Sequence, residues 1–310
     1  MSIGTATQDV FLSGEIFTPL CESGICFEHL KLGDKLYVDD AVFSSGGNAT
    51  NAATTFARQG IDSSFVGVIG NDPSGKAVLD ELKDNKVDTT NVTIEDSFKT
   101  SYSVILLAPS GERTILRVRG GDAINYKADF LKNIEADWVY VSSLGSIELL
   151  TEVVDKAFKN GAKIAFNPGT LELEHPKVLK KMMSKISILA ANKDEAKTLF
   201  NGETMQDLAK EAGKVVDFAI ITDGPKGEAA SDGQHVCTGG MYEDVEVLDR
   251  TGAGDAFASG FTASIAQGKN MEEAITFASA NSTSVVQFIG AKQGILHKDA
   301  KLHSMQITCS

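Results

Sequence analysis

The chain has 310 residues, of which 42% are hydrophobic and 23% are charged, so we expect one globular domain spanning residues 1–310. The formal net charge of −13 argues against nucleic acid and anionic membranes as partners. Apolar runs reach only strand length, and the first ten residues lack the basic and apolar regions of a secretory signal. These features together predict a cytoplasmic protein.

The four cysteines, Cys21, Cys26, Cys237 and Cys309, form no CxxC pair, and the five histidines are scattered. This pattern argues against a zinc site, a redox motif and a Ser-His-Asp triad. A link between Cys21 and Cys26 is the alternative, but we expect free thiols in a reducing compartment.

Short apolar runs alternate with segments of helical periodicity along most of the chain. This alternation predicts an α/β fold in which helices cover both faces of a parallel sheet. The predicted strands are residues 10–13, 64–68, 138–142, 163–166, 186–190 and 218–222. The predicted helices are residues 48–58, 74–84, 147–159 and 194–200.

Two stretches, residues 35–43 and 101–119, resemble antiparallel strands with no helix between them. In the second, residues 102–107 and 113–118 flank a turn at Pro109-Ser110-Gly111, which is a hairpin signature. We therefore predict a small β-sheet lid, formed by segments at about 17–45 and 98–121, that excludes water from a site. A hairpin at the edge of the main sheet is the alternative.

The first glycine-rich motif is Gly46-Gly47-Asn48-Ala49-Thr50-Asn51, a turn that leads into a helix. Asn48 and Asn51 are three residues apart, and their amides can donate to and accept from a polyhydroxyl substrate.

Asn192 and Glu195 mark the next strand-to-helix junction and are also three residues apart. Asn192 can contact phosphate, and Glu195 can organise Mg²⁺ through water. A capping box made by the same two residues explains the spacing equally well.

A glycine-rich turn, Thr222-Asp223-Gly224-Pro225-Lys226-Gly227, follows the predicted strand at residues 218–222. Nucleotides bind at such strand ends in open α/β sheets.

The strongest local signal is Asp249-Arg250-Thr251-Gly252-Ala253-Gly254-Asp255, which precedes an apolar helix. The small residues Gly252, Ala253 and Gly254 let backbone N–H groups at the helix N-terminus approach an anion such as a phosphoryl group. Asp255 then acts either as an N-cap or as a general base for phosphoryl transfer. No P-loop occurs, and no GxGxxG follows the first strand, which disfavours a dinucleotide oxidoreductase.

These motifs, together with Gly67-Val68-Ile69-Gly70-Asn71-Asp72-Pro73-Ser74-Gly75, occur in an order that resembles the ribokinase-like carbohydrate kinases, the phosphofructokinase-B family, over residues 10–294. The resemblance implies a Rossmann-like three-layer sandwich with a small β-sheet lid. It also implies transfer of phosphate from ATP, with Mg²⁺, to a hydroxyl of a sugar, nucleoside or related small molecule. In this family the lid strands often pair between subunits, which implies a homodimer.

The resemblance further implies a role for each motif. Asp255 would be the catalytic base, and the amides of Gly252, Ala253 and Gly254 would form the anion hole. The remaining residues would be Asn192 and Glu195 for phosphate and Mg²⁺, Thr222, Gly224, Gly227 and Asn281 for the nucleotide, Asp249 and Thr251 for K⁺, and Gly46, Gly47, Asn48 and Asn51 for the substrate.

One position departs from the family pattern. Members usually carry, after the first strand, an Asp five residues past a Gly that binds sugar hydroxyls, whereas the run from Gly14 places Pro19 there. Glu15 or a lid residue would then replace it, or the substrate would lack that pair of hydroxyls. Arg119 could instead hold an acidic group, as in 2-keto-3-deoxygluconate kinases, or be a solvated lid charge.

The sequence therefore predicts an ATP-dependent kinase for a small sugar or sugar acid. A nucleoside kinase of the same family is the first alternative, and a nucleotide-binding pseudo-kinase is the second.

Overall fold

The computed structural model describes residues 1–118, 120, 135–242 and 245–310. Its main sheet contains ten strands, ordered β16-β15-β14-β13-β12-β11-β10-β1-β6-β7. In chain order these are β1 (Ser2–Ile3), β6 (Phe65–Gly70), β7 (Val92–Glu95), β10 (Trp138–Val141), β11 (Lys163–Phe166), β12 (Ile188–Asn192), β13 (Phe218–Thr222), β14 (Glu228–Ser231), β15 (Val236–Gly239) and β16 (Ile307–Cys309). The sheet is parallel from β7 to β13 and antiparallel from β13 to β16.

Helices cover both faces of this sheet, because its central strands are apolar on both sides. Val139 and Val141 of β10 belong to the core cluster on one face, whereas Tyr140 belongs to the cluster on the other. The helices are α1 (Asn48–Arg58), α2 (Pro73–Asp84), α3 (Ile147–Lys159), α4 (Thr170–Leu173), α5 (Pro176–Met182), α6 (Lys193–Leu199), α7 (Met205–Ala212), α8 (Ala253–Ala266) and α9 (Met271–Val285). Helices α1, α8 and α9 pack on the Tyr140 face, and α3 and α5 pack on the other.

A second, smaller sheet has the strand order β5-β2-β8-β9, with β2 (Thr7–Ser13), β5 (Asp40–Gly46), β8 (Ser101–Leu107) and β9 (Arg113–Val118). Strand β2 pairs with β5 in antiparallel register and with β8 in parallel register. Strands β8 and β9 form the predicted hairpin. Phe43 and Leu116 of this small sheet are 66% and 55% exposed, so part of its surface is apolar.

The predicted α/β class with a central sheet and a small β-sheet is confirmed, and helices α1 and α3 have the predicted bounds. Two predictions were wrong. Residues 10–13 belong to β2 of the small sheet, and the main sheet instead begins with β1. In the stretch 35–43, only the part from Asp40 onward is a strand.

The expectation of free thiols was also wrong. Cys21 and Cys26 are directly opposed in a short hairpin of β3 (Leu20–Glu22) and β4 (Ile25–Phe27), and they form a disulfide. Cys237 and Cys309 are opposed in β15 and β16 and form a second disulfide. The predicted cytoplasmic location was consistent with free thiols, and the two disulfides remove that support. Within the described part of the chain, no helix combines the length and apolar composition that a bilayer crossing requires.

Candidate active site

A cavity of about 150 Å³ lies at the carboxyl ends of β11, β12 and β13, against the first turn of α8. Ligands bind at this edge in open α/β sheets because the strand-to-helix turns converge there. The polar residues that line the cavity come from several separate motifs: Asn48, Asn167, Asn192, Glu195, Thr222 and Asp255.

The first turn of α8 presents backbone N–H groups to this cavity. Gly252, the N-cap, has a φ of 80°, a left-handed conformation that favours glycine. Gly254 lines the cavity, and a Cβ at this position would meet no atom of the described residues within 4 Å. The turn therefore leaves space beside donors that have no partners within the helix, as an anion site requires.

Asp255 is the carboxylate in this turn, and its Oδ2 accepts a hydrogen bond of 2.8 Å from Nδ2 of Asn51 on α1. Burial raises the pKa of Asp255 from 3.8 to about 6, against the lowering effects of the Asn51 hydrogen bond and the charge of Lys292; the charge of Glu195 raises it further. At neutral pH the group is therefore mostly ionised, yet basic enough to accept a proton.

Asn48, at the start of α1, also reaches the cavity, and its Nδ2 donates to Oδ1 of Asn167 at 3.1 Å. Nδ2 of Asn167 donates in turn to the carbonyl of Ala190 at 2.8 Å, which fixes the orientation of both amides. No sequence motif predicted Asn167 as a site residue. Its position directly after β11 was the available signal, because side chains there face the same edge of the sheet.

Asn192 and Glu195 form the capping box of α6, with reciprocal hydrogen bonds of 2.9 Å, and both also line the cavity. The capping and ligand-binding interpretations are therefore compatible. Burial raises the pKa of Glu195. Among the described residues there is no cluster of three or more His, Cys, Asp or Glu side chains that could hold a metal ion.

Thr222 ends β13 opposite Asn192 of β12 and lines the cavity, whereas Gly224 and Gly227 form the turn that follows. Asn281, predicted to flank the adenine, is fully buried. Its Nδ2 donates to the carbonyl of Ala256, and its Oδ1 accepts from the backbone N–H of Leu296, both at 2.8 Å. Its amide therefore ties α9 to α8, and its role at the nucleotide stays a prediction.

Asp249 and Thr251 lie just before the turn at Gly252. The fully buried carboxylate of Asp249 accepts backbone N–H groups from Thr251 at 2.9 Å and Gly290 at 3.0 Å. Among the described residues, Oγ1 of Thr251 is buried without a hydrogen-bond partner. The predicted arginine at position 119 lies outside the described residues.

The structure removes the difficulty at Pro19. The run from Gly14 to Pro19 follows a strand of the small sheet, whereas the first strand of the main sheet ends at Ile3 and is followed by Gly4. Five residues past Gly4 stands Asp9. The carboxylate of Asp9 occupies the space that a side chain at Gly46 would need, so it lies against the predicted substrate motif.

Burial raises the pKa of Asp9, and the neighbouring hydroxyl of Ser103 and the charges of Lys292 and Arg117 oppose this effect. Among the described residues, Oδ1 of Asp9 has no hydrogen-bond partner although it is buried. Such an atom is costly unless a ligand or water satisfies it. Asp9 was not predicted from the sequence because β1, at two residues, is too short to show a periodic pattern.

The chain matches the pfkB family carbohydrate kinase over residues 23–298. The chain belongs to this family. A ribokinase from Bacillus subtilis is 32% identical over 256 residues, which cover 81% of this chain and 84% of the relative. An Arabidopsis thaliana ribokinase structure, complexed with ribose and ATP, has a TM-score of 0.77 at 23% identity and covers 96% of this chain and 95% of its own. A Methanocaldococcus jannaschii nucleoside kinase has a TM-score of 0.78 at 21% identity and covers 96% of this chain and 94% of its own.

As a pfkB family carbohydrate kinase, the chain is an ATP-dependent phosphotransferase that acts on an alcohol group. The structural likeness establishes the ribokinase-like fold. Structures named as a ribokinase and as a nucleoside kinase share this fold, so the fold alone does not select the substrate.

Proposed function

We propose that the chain transfers the γ-phosphoryl group of ATP to a hydroxyl of a small sugar or sugar acid, with Asp255 as the general base. The observation that carries this proposal is the position of Asp255. Its carboxylate lies in the first turn of α8, beside Gly254 and its open space, and Asn51 holds it by a 2.8 Å hydrogen bond.

In the proposed reaction, Asp255 accepts the proton of the substrate hydroxyl as its oxygen forms a bond to the γ-phosphorus. The bond between that phosphorus and the bridging oxygen of ADP breaks in line with the attack. The backbone amides of Gly252, Ala253 and Gly254 stabilise the charge that develops on the transferred group. Asn48 and Asn51 orient the substrate, since productive geometry supplies much of the rate.

The residues present fit ATP and Mg²⁺. Asn192 and Glu195 line the cavity together with Thr222, which precedes the glycine-rich turn, and these three would hold the phosphates and the metal. Because the described residues lack a cluster of metal ligands, the phosphates themselves would supply much of the Mg²⁺ coordination. Bound Mg²⁺ neutralises phosphate charge during transfer.

The buried Oγ1 of Thr251 supports a monovalent cation, K⁺, near the turn at residues 249–251. Both carboxylate oxygens of Asp249 already accept backbone N–H groups. Asp249 would therefore contribute its carbonyl oxygen rather than its side chain.

Asp9 supports a substrate with neighbouring hydroxyls. It lies against Gly46, carries a buried oxygen without a partner among the described residues, and stands five residues past Gly4, as the family pattern implies for the sugar-binding Asp. A sugar fits this arrangement. The ribose moiety of a nucleoside also fits it, and the likeness to the nucleoside kinase structure keeps that substrate class as the second candidate.

The small sheet would act as a lid, since β2 carries Asp9 against Gly46, the residue at which β5 ends and the proposed substrate motif begins. Its exposed apolar side chains, including Phe43 and Leu116, support pairing with a second copy of the chain.

Release of ADP should be measured with the wild-type chain across sugars, sugar acids and nucleosides. We expect turnover with a sugar or sugar acid, and a loss of about 10³-fold or more in kcat for Asp255→Asn with nucleotide binding retained. Asp194→Asn, an exposed carboxylate on α6, is the matched control and should keep wild-type turnover.

Near-normal turnover of Asp255→Asn would refute the role of the base. Turnover confined to nucleosides would select the second candidate. No turnover with any of these substrates would leave a nucleotide-binding pseudo-kinase.

A further inference from the structure

A lysine that no motif predicted is buried behind the site. Lys292 lies in the loop after α9 and is only 1% exposed. Its Nζ donates to the carbonyl of Ser45 at 2.6 Å, to Oγ1 of Thr50 at 3.0 Å and to Oδ1 of Asn51 at 2.7 Å. An ammonium group has three donors, so these three acceptors satisfy it completely.

The lysine determines which way the amide of Asn51 faces. Because Lys292 can only donate, Oδ1 of Asn51 must face it, and Nδ2 must then face Asp255, to which it donates at 2.8 Å. The reversed amide would place its NH₂ group against an ammonium and its oxygen against a carboxylate. Both contacts would be repulsive.

The charges around this chain of contacts favour a protonated lysine at neutral pH. Burial lowers the pKa of Lys292 to about 8; the carboxylates of Glu81, Asp9 and Asp255 raise it, and the charge of Arg58 lowers it. The groups that face Asp255 are Lys292, Glu195 and the phenol of Tyr140. Lys292 is thus the cation among these groups, and its charge opposes the rise that burial causes in the pKa of Asp255.

Hydrogen bonds from Arg58 hold the loop that carries Lys292. Nη1 of Arg58, the last residue of α1, donates to the carbonyls of Lys292 at 2.7 Å, Gln293 at 3.3 Å and Ile295 at 2.9 Å. The carbonyl of Ser45, which receives the ammonium, directly precedes Gly46 at the end of β5. Lys292 therefore joins the end of a small-sheet strand, the start of α1 and, through Asn51, the base.

We propose that Lys292 is a positioning residue that fixes the amide of Asn51 and, through it, keeps the carboxylate of Asp255 ionised and oriented for proton transfer. The inference rests on the proposed function, in which Asp255 is the base. It adds a residue that need not touch substrate or nucleotide.

Lys292→Met tests the proposal, because it keeps an unbranched side chain of nearly the same length while it removes the charge and the donors. Lys298→Met is the matched control, since this lysine lies in the same loop and is exposed. Both variants should be compared with the wild type in kcat, in KM for ATP, in thermal unfolding and in the pH dependence of kcat/KM.

We expect Lys292→Met to lose about 100-fold in kcat, within the range that general-base catalysis contributes, with KM for ATP nearly unchanged. The acid limb of its pH profile should move to higher pH, because a nearby cation and a directed donor both favour the ionised form of Asp255. Lys298→Met should match the wild type in all four measurements.

A merely structural lysine would lower the unfolding temperature but leave kcat per folded molecule and the acid limb unchanged, and that result would overturn the proposal. If Lys292→Met does not fold, Asn51→Asp replaces it. In this variant the new carboxylate can still accept a hydrogen bond from Lys292 but repels Asp255. The value of kcat should therefore fall, and the acid limb of the pH profile should move to higher pH. Wild-type kcat and an unmoved limb in Asn51→Asp would also overturn the proposal. A wild-type chain without any turnover would instead refute the proposed function itself.

Discussion

Replacing the proposed base, Asp255→Asn, should make the protein more stable as well as inactive. Folding raises the pKa of Asp255 from 3.8 to about 6, so the ionised carboxylate is less favourable in the folded chain than in the unfolded one. At 1.36 kcal/mol for each pKa unit, this difference is about 3 kcal/mol at neutral pH. Because the side chain is partly exposed, we expect a gain of about 1–2 kcal/mol, or roughly 3 °C in Tm.

The gain should depend on pH in a defined direction. Below about pH 4 the carboxyl is protonated in both states, so Asp255→Asn should have no advantage over the wild type. As the pH rises through 4 to 6, the unfolded chain loses its proton first and the advantage accumulates. Above about pH 6 the advantage should be fully present.

Thermal unfolding between pH 4 and pH 8, followed by circular dichroism, measures this difference. Asp194→Asn serves again as the control, because its exposed carboxylate in the first turn of α6 should contribute at most a few tenths of a kcal/mol. A Tm for Asp255→Asn that equals or falls below the wild-type value at pH 7, or a gain that does not change with pH, would refute the reasoning.

Two further predictions concern the glycine turn and the small sheet. Gly254→Ala should preserve stability, because its Cβ would meet none of the described atoms within 4 Å, but it should raise KM for ATP by narrowing the phosphate site. Gly252→Ala should destabilise the fold, since its φ is 80° and its Cβ would collide with Ala291. Unfolding and initial-rate measurements on the two variants separate these effects, and equal stability of both would contradict the structure. Phe43→Glu combined with Leu116→Glu should convert a dimer into a monomer in light scattering, while Phe158→Glu, at a side chain that is 52% exposed on α3, should not. A monomeric wild-type chain would reject pairing through the small sheet.

Local patterns predicted the elements that have strong local signals. Helix α3 has the predicted bounds because its apolar positions follow the helical period and Ser146 caps it by accepting the backbone N–H of Leu149. The hairpin of β8 and β9 was likewise predictable from its turn. By contrast, the apolar composition of residues 10–13 could not show that β2 joins the small sheet, because a strand pattern does not identify its partners.

The parts of the site that were missed depend on contacts between distant positions. Lys292 meets Asn51 across 241 residues of sequence, and no local pattern marks either its burial or its partners. Cys237 meets Cys309 only because β16 pairs with β15 at the sheet edge. Asp9 matches the position of the family's sugar-binding Asp only when β1 is taken as the first strand of the main sheet, and the sequence pattern does not show this strand.

The short connection between β1 and β2 bears on how the enzyme would select the acceptor hydroxyl over water. Only three residues, Gly4 to Ala6, separate β1 of the main sheet from the strand of the small sheet that carries Asp9. A ligand that binds Asp9 and Asn51 together would therefore join the small sheet to helix α1, which packs on the main sheet. Recognition of the acceptor and discrimination against hydrolysis of ATP would then depend on the same contact. ATP bound without an acceptor would not make that contact.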